Sequence, residues 1–307
     1  MTAHMLSIAS VLSLTFLLVF RLPVAAAENF RVATYNLENY LDQAAGARPA
    51  KTTAARTKVR ESIQALRPDV IALDEIGSPS ALEELRGSLK ADGLDLPYSE
   101  YVRGFDTNIH VAVLSKFPFT ARRPHTNDNF LLQGRRFHVS RGFAEVDIQV
   151  TTNYAFTLIA AHLKSKRPVP EADEAELRLE EAKRLREAVD ARLATDPNAN
   201  VVALGDFNDT KDSPAIRTII GRRKFKLVDT RPAERNGDEP NGGIGRNVTW
   251  TEHYAKEDIY SRIDYILLSP GMAREWMPSE TYILALPNWG TASDHRPLVA
   301  TFEAKDN

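Results

Sequence analysis

Eight short apolar runs recur along this chain, and they constrain its fold more than any other feature. FRVATYNLEN, PDVIALDEI, IHVAVLSKF, FHVSRGFAEVDIQV, YAFTLIAAHL, NVVALGDFN, RIDYILLS and PLVATF are rich in residues that suit a pleated surface, so each reads as a strand. Several are continuously apolar rather than alternating, which implies burial on both faces. A sheet built from such strands must be covered twice, by a second sheet or by helices.

Helical patterns lie between the strands. Residues 54–66 place Val59, Ile63 and Leu66 on one stripe, and Pro79 opens SPSALEELRGSLK as a first-turn proline. The longest helix is EADEAELRLEEAKRLREAVDARL, with Leu185, Val189 and Leu193 at helical spacing and charges expected to be solvated. Strands that outnumber interspersed helices predict a layered α/β sandwich of two packed sheets covered by helices. From residue 28 onward no repeat, low-complexity segment or linker interrupts the chain, so residues 28–307 read as a single domain. GDEPNGGIGRN (237–247) reads as a flexible loop, because no strand–glycine–helix order makes it a phosphate cradle.

Composition excludes several chemistries. With no cysteine among 307 residues, thiol nucleophiles, cysteine zinc sites and disulfides are out. A formal charge of -2 argues against binding nucleic acid by bulk phosphate neutralisation, so any such surface must be local. Residues 1–27 stand apart: Leu6–Phe20 is uncharged and apolar, and Ala25 and Ala27 form a small-x-small cleavage pattern. The run is short for a span of about 20 residues, although its flank carries His4 and no Lys or Arg. A cleaved signal peptide is therefore expected, with Glu28 as the mature N-terminus. That implies a secreted or periplasmic protein without stable membrane association after cleavage.

Polar residues gather at strand ends. RVATYN ends on Asn36, VIALDE on Asp74 and Glu75, TLIAAH on His162 with Lys164 beyond, and VVALGD on Asp206 with Asn208 beyond. Asp264 lies within RIDYILL, and Asp294 and His295 lead into the last strand. Singly, each has an ordinary reading: a turn-forming Asn, a helix-capping acid pair, a satisfied core histidine, an Asx turn around Phe207. Together they are harder to dismiss, since unpaired buried carboxylates cost several kcal/mol each. A shared cation with histidines nearby would offset that. Hard oxygen donors without cysteine suit Mg2+, with Mn2+ or Ca2+ as substitutes, better than zinc. Such a site suits attack on a phosphodiester by a water that an imidazole activates.

TYNLEN, LDEIG, AHLKSK, GDFND, RIDYILLS and SDHRPLVATF occur in the order, and at roughly the spacing, of the endonuclease/exonuclease/phosphatase superfamily. The chain resembles that family over about residues 29–303, in its deoxyribonuclease-like and exonuclease III-like branches. The resemblance implies a four-layer α/β sandwich, two packed mostly antiparallel sheets flanked by helices, with the site at one edge. It implies Asn36, Glu75 and Asp294 as metal ligands, and Asp206 and Asn208 acting on the attacking water and phosphoryl oxygens. It implies His295 as general base or transition-state contact oriented by Asp264, and His162 as a second, phosphate-side histidine. Asp74 stands where the family commonly has Gln, and is expected to face away. The Gly-Trp that usually precedes the Arg-Ile-Asp motif of abasic-site endonucleases is missing from DIYSRIDY, which argues against that speciality.

A metal-dependent phosphodiester hydrolase is expected, most simply a secreted, monomeric endonuclease acting on nucleic acid. The alternative is a phosphomonoesterase or lipid phosphodiesterase of the same superfamily. Arg141 and Lys164 are the basic residues expected to meet the phosphate, among clusters at residues 48–58, 122–123, 135–141 and 164–167. Trp250 either stacks on a base or plugs the core. No exposed aromatic hairpin of the kind that engages membranes is evident. Arg296 has no assigned role beyond a structural one.

Overall fold

The computed structural model describes residues 28–234 and 247–305. The expected signal segment and most of the glycine-rich loop lie outside the described residues. In chain order the elements are β1 (Asn29–Tyr40), α1 (Thr53–Leu66), β2 (Val70–Ile76), α2 (Pro79–Ala91), β3 (Tyr98–Val102), β4 (His110–Ser115) and β5 (Phe119–Arg122). Then come β6 (Asn129–Leu132), β7 (Arg135–His138), β8 (Phe143–Thr151), β9 (Tyr154–Ala161), α3 (Glu174–Thr195), β10 (Val201–Asp206) and α4 (Pro214–Ile220). The chain finishes with β11 (Val228–Asp229), β12 (Ala233–Glu234), β13 (Glu252–Tyr254), β14 (Ile259–Ser261), β15 (Asp264–Leu268), β16 (Trp276–Ile283) and β17 (Leu298–Glu303).

One sheet has the order β12-β16-β17-β1-β2-β4-β3 and the other β11-β15-β10-β9-β8-β5. Pairing within both is antiparallel except for β1–β2, β9–β10 and β12–β16. The two-residue period of each strand explains the continuous apolar runs. On β1, Phe30 and Val32 point into a core shared with Leu158, Val202, Leu204 and Ile266 of the other sheet. Ala33 and Tyr35 point the opposite way, under Val59 and Ile63 of α1 and Leu85 of α2. The second sheet does the same: Ile159, Ala203 and Leu267 face Leu185, Val189 and Ile216 of α3 and α4. The result is four layers, helix, sheet, sheet, helix, as expected.

Helix starts follow their caps. Thr52, Ser78 and Asp173 each accept a first-turn amide from α1, α2 and α3, and Pro79 occupies the first turn of α2. Two expectations are corrected. FHVSRGFAEVDIQV is two strands, because the chain turns at Gly142 (φ +70°) between β7 and β8. The charges of α3 are not all solvated either, since Arg178 and Glu181 are 2% and 1% exposed.

Candidate active site

The inner faces of both sheets change character at one end of the shared core. On β1 the apolar series Phe30, Val32 continues as Thr34 and Asn36; on β2, Val70 and Ala72 lead to Asp74. On β9 and β10 the series Leu158, Ala160 and Val202, Leu204 lead to His162 and Asp206. Asp264 opens β15, inward of Ile266 and Leu268. Register aligns these ends: Asn36 sits beside Asp74 in one sheet, and Asp206 opposite Asp264 in the other. All of these side chains are essentially buried.

Hydrogen bonds cross the gap between the sheets. Asn36 Nδ2 donates to Asp206 Oδ2 at 2.9 Å, and the Asp206 amide donates to Asp74 Oδ2 at 2.9 Å. Asn208 N holds the other oxygen, Asp206 Oδ1, at 2.8 Å. His295 reaches in from the segment before β17. Its amide donates to Ser293 Oγ at 3.0 Å, and that hydroxyl donates to Asn36 O at 2.8 Å. The ring's Nδ1 lies 2.8 Å from Asp264 Oδ2, which leaves Nε2 at 3.8 Å from Asp206 Oδ2 and 3.9 Å from Asp294 Oδ1. His162 Nε2 approaches from the other side, 3.6 Å from Asp206 Oδ2 and 3.9 Å from Glu75 Oε1.

The backbone is bent to assemble this group. β1 carries a register shift between Asn36 and Tyr40, with Glu38 and Asn39 at positive φ, and Glu75 is itself at φ +61°. Such left-handed residues are costly outside glycine and recur at functional sites. The shift turns two amides toward the site: Glu38 N donates to Asn36 Oδ1 at 3.0 Å, and Asn39 N to Glu75 Oε2 at 2.9 Å. Arg48 hydrogen-bonds Asn39 Oδ1 and stands 3.9 Å from Glu75 Oε2, and Lys51 Nζ donates to Glu38 O at 2.9 Å. Gly205 is required beside Asp206. At φ +133°, a Cβ there would lie 2.1 Å from Ala161 O.

Like charges crowd the interior. Burial, reinforced by Asp264, pushes Asp206 up to about 8, although His295 opposes the rise. Burial and the Asp206 carboxylate hold Asp74 well above the usual range. Burial disfavours charge on His295, but Asp264, Asp206 and Asp294 together outweigh it and raise the imidazole well above its ordinary value. His162 goes the other way, because burial and then the charges of Arg141, His295 and Arg48 keep it neutral.

Asn36, Glu75, His162, Asp206, Asn208, Asp264, Asp294 and His295 thus gather at one end of the sandwich. Asp74 joins them: instead of facing away, it lies between the sheets, and its Oδ1 is buried without a hydrogen-bond partner. The two-residue alternation from Val70 through Ala72 carried that information. Arg141 is buried alongside, with Nη1 on Leu163 O at 3.2 Å and Nε 3.6 Å from Asp106 Oδ2. Lys164 departs from expectation, since its ammonium is bound by the carbonyls of Ser165 and Arg167 at 2.9 and 2.7 Å and so braces its own loop. Other basic clusters are paired elsewhere: Arg122 with Glu100, Arg123 with Glu145 and Asp147, Arg56 with Glu84.

Arg296 and Trp250 account for each other. The guanidinium lies 3.3 Å from the centre of the Trp250 ring, hydrogen-bonds Trp250 O, and meets Glu234 Oε2 at 2.7 Å. This half-buried Trp250 roots a hairpin that the sequence had not revealed, β13–β14. A bridge between Glu252 and His295 and a 2.9 Å bond from His253 N to Asp294 O join the hairpin to the site. Tyr254, Ile259 and Tyr260 are exposed on it, with His253 stacked on Tyr260 at 4.3 Å.

Residues 33–295 match the model of the endonuclease/exonuclease/phosphatase family. The chain belongs to that family. Solved structures with the same fold include the endonuclease/exonuclease/phosphatase from Bacteroides vulgatus (15% identity, 91% of this chain and 100% of that one, TM-score 0.63). Sphingomyelinase C from Streptomyces griseocarneus is 20% identical over 90% of this chain and all of its own, with a TM-score of 0.59. The human Nocturnin catalytic domain with bound sulfate is 14% identical over 90% and 95%, with a TM-score of 0.62. A sequence comparison with curated proteins finds no match. Membership of this family supports a phosphoester hydrolase activity.

Proposed function

We propose that this family member is a divalent-cation-dependent phosphodiester hydrolase, and within that class a nuclease acting outside the cytoplasm as a monomer. The observation that carries the reading is the meeting of two pairs between the sheets, Asn36–Asp206 and His295–Asp264, with His162 beside them.

Members of the family use divalent metals, and the residues here fit one. Asn36, Glu75 and Asp294 offer hard oxygens, and buried Asp74 Oδ1, unpartnered, lies next to Glu75 in the chain. Burial first, and neighbouring carboxylates with it, disfavour charge on Asp206 and Asp74, a penalty that a bound cation would offset. Asp206, Asp264 and His295 have donor atoms within 4.8 Å of one another. They suit proton handling better, because the imidazole's Nδ1 is already bonded to Asp264. A bound Mg2+, or Mn2+ or Ca2+ in its place, would polarise a phosphoryl oxygen and neutralise its growing charge.

The chain's own residues divide the remaining work. Asp206 is oriented at both oxygens by Asn36 and Asn208, which aims its carboxylate to take a proton from the attacking water. His295, kept cationic and aimed by Asp264, meets charge on the phosphoryl group. His162, kept neutral, donates a hydrogen bond on the opposite side, and buried Arg141 adds positive charge behind it.

Nucleic acid is the favoured substrate because flat rings and cations flank the site. Tyr254 and Tyr260 are exposed on the hairpin tied to His295, with half-buried His253 stacked on Tyr260, and half-buried Arg48 and Lys51 stand by Glu75 and Glu38. Exposure of Ile259 beside Tyr260 favours one second reading, a lipid phosphodiesterase. Purified protein incubated with plasmid DNA, RNA, an aryl phosphodiester and phospholipid vesicles, each with Mg2+ or EDTA, separates these. Nicking of plasmid that EDTA abolishes is expected. Cleavage that survives EDTA refutes the metal requirement, and turnover of phospholipid alone transfers the assignment to lipid.

A further inference from the structure

We propose that Arg178 and Glu181, one turn apart on α3, are positioning residues that hold three active-site loops in register; this rests on the placement of His162, Asn208 and Arg141 in the site. Both charged side chains are buried under a surface helix, where packing alone gives no reason for charge. Burying a charge is costly unless it is hydrogen-bonded. The bonds supply a different reason.

Glu181 Oε2 accepts the amide of Lys164 at 2.6 Å, and Arg178 Nη1 donates to the carbonyl of the same residue at 3.0 Å. The peptide before it is fixed by the site itself. Leu163 N donates to Asp206 O at 3.0 Å, and Leu163 O accepts from Asn208 Nδ2 at 3.1 Å and Arg141 Nη1 at 3.2 Å. Every backbone polar group of Leu163 and Lys164 is therefore bonded to a residue from elsewhere, immediately after His162. The same two side chains reach further. Glu181 Oε1 accepts from Ser140 N at 2.8 Å and Ser140 Oγ at 2.7 Å, next to Arg141. Arg178 Nε donates to Asp209 Oδ2 at 3.0 Å, next to Asn208. One turn of helix thus fastens the loops behind Arg141, His162 and Asn208. Glu181 fills both its oxygens with donors, so an amide in its place would set one N–H against another.

The test is Glu181→Gln, Arg178→Met and Arg178→Lys, assayed for kcat and KM on the best phosphodiester from the panel above, per folded molecule by circular dichroism. A displacement of about 1 Å costs on the order of 100-fold in rate, so kcat should fall at least ~10-fold for Glu181→Gln and Arg178→Met with KM within about twofold. Arg178→Lys, which keeps the charge and one donor, should recover part of the loss. In a His162→Ala background, Glu181→Gln should cost clearly less than it does alone, because one of the groups it positions is gone. A loss of thermal stability with kcat unchanged, or full additivity with His162→Ala, overturns the proposal. Near-normal activity of His162→Ala alone overturns the reading of the site, and the proposal with it. Should Glu181→Gln fail to fold, Ser140→Ala, which removes only the 2.7 Å hydroxyl bond, must still lower kcat measurably, and unchanged kcat there refutes the role.

Discussion

Replacing Asp264 with Asn probes the site at its most charged point. Asp264 Oδ2 sits 2.8 Å from His295 Nδ1, and Asp264 also lies directly opposite Asp206 in the sheet. The carboxylate fixes which ring nitrogen faces the site and supports the imidazolium. At charge centres about 4 Å apart and an effective dielectric near 20, that attraction is worth roughly 4 kcal/mol. An amide of the same shape supplies no charge and can hold the wrong tautomer, so Asp264→Asn should lower kcat by about 1,000-fold, the rate equivalent of roughly 4 kcal/mol. The loss should exceed that of any change in KM, because the charge meets the phosphoryl group most strongly in the transition state. Removing one partner of this buried pair leaves the imidazolium less compensated, so the fold should also lose about 3 kcal/mol, offset in part by relief of repulsion with Asp206 opposite. The assay is steady-state hydrolysis of plasmid or aryl phosphodiester from pH 5 to 9, with thermal melting alongside. Activity within tenfold of the parent across that range would refute the reasoning.

Three further outcomes follow from the geometry. Glu75→Gln should shift the Mg2+ titration of activity at least ~10-fold upward while leaving thermal stability nearly unchanged, since one hard ligand is weakened; an unmoved titration reassigns the ligand. Gly205→Ala forces a side chain to 2.1 Å from Ala161 O, so it should destabilise the fold by about 3 kcal/mol or more and shift Asp206, as read by denaturant melts; a neutral result shows that the backbone relaxes. Hydrogen bonds to Asp128 and Glu145 raise His125 from 6.5 to about 9. Its contribution is complete below pH 6.5 and is lost as pH rises through 9. After discounting for screening of a partly exposed group, stability should fall by roughly 1 kcal/mol across that window. His125→Gln should flatten the slope, and an equally steep decline in the variant would rule His125 out as its source.

Much of the fold was legible because the two-residue period and the helical stripes are local properties of the chain. Val59, Ile63 and Leu66, or Phe30 and Val32, are buried by neighbours of any suitable size, so pattern alone places them. The strand-end polar residues were legible for the related reason that strand direction carries them to one end. What stayed hidden depends on partners distant in sequence. Whether Lys164 reaches a phosphate or two carbonyls of its own loop is decided by how residues 165–167 turn. Arg178 and Glu181 look like the other charges of α3 until loops from residues 140, 164 and 209 close over them. The β13–β14 hairpin escaped notice because its short strands lack an apolar alternation, and its anchor is Arg296 on Trp250 rather than a core of its own.

Since Asn36 and Asp74 belong to one sheet and Asp206 and Asp264 to the other, the distance across which they meet is set by the apolar side chains stacked beneath them. The reactive geometry is in effect a gauge of how tightly the two sheets are pressed together. Loosening the layer of Val32, Ala72, Leu204 and Ile266 would register first as altered turnover, before any strand came apart. Selection on catalysis therefore also acts on the volume of residues that never see the substrate.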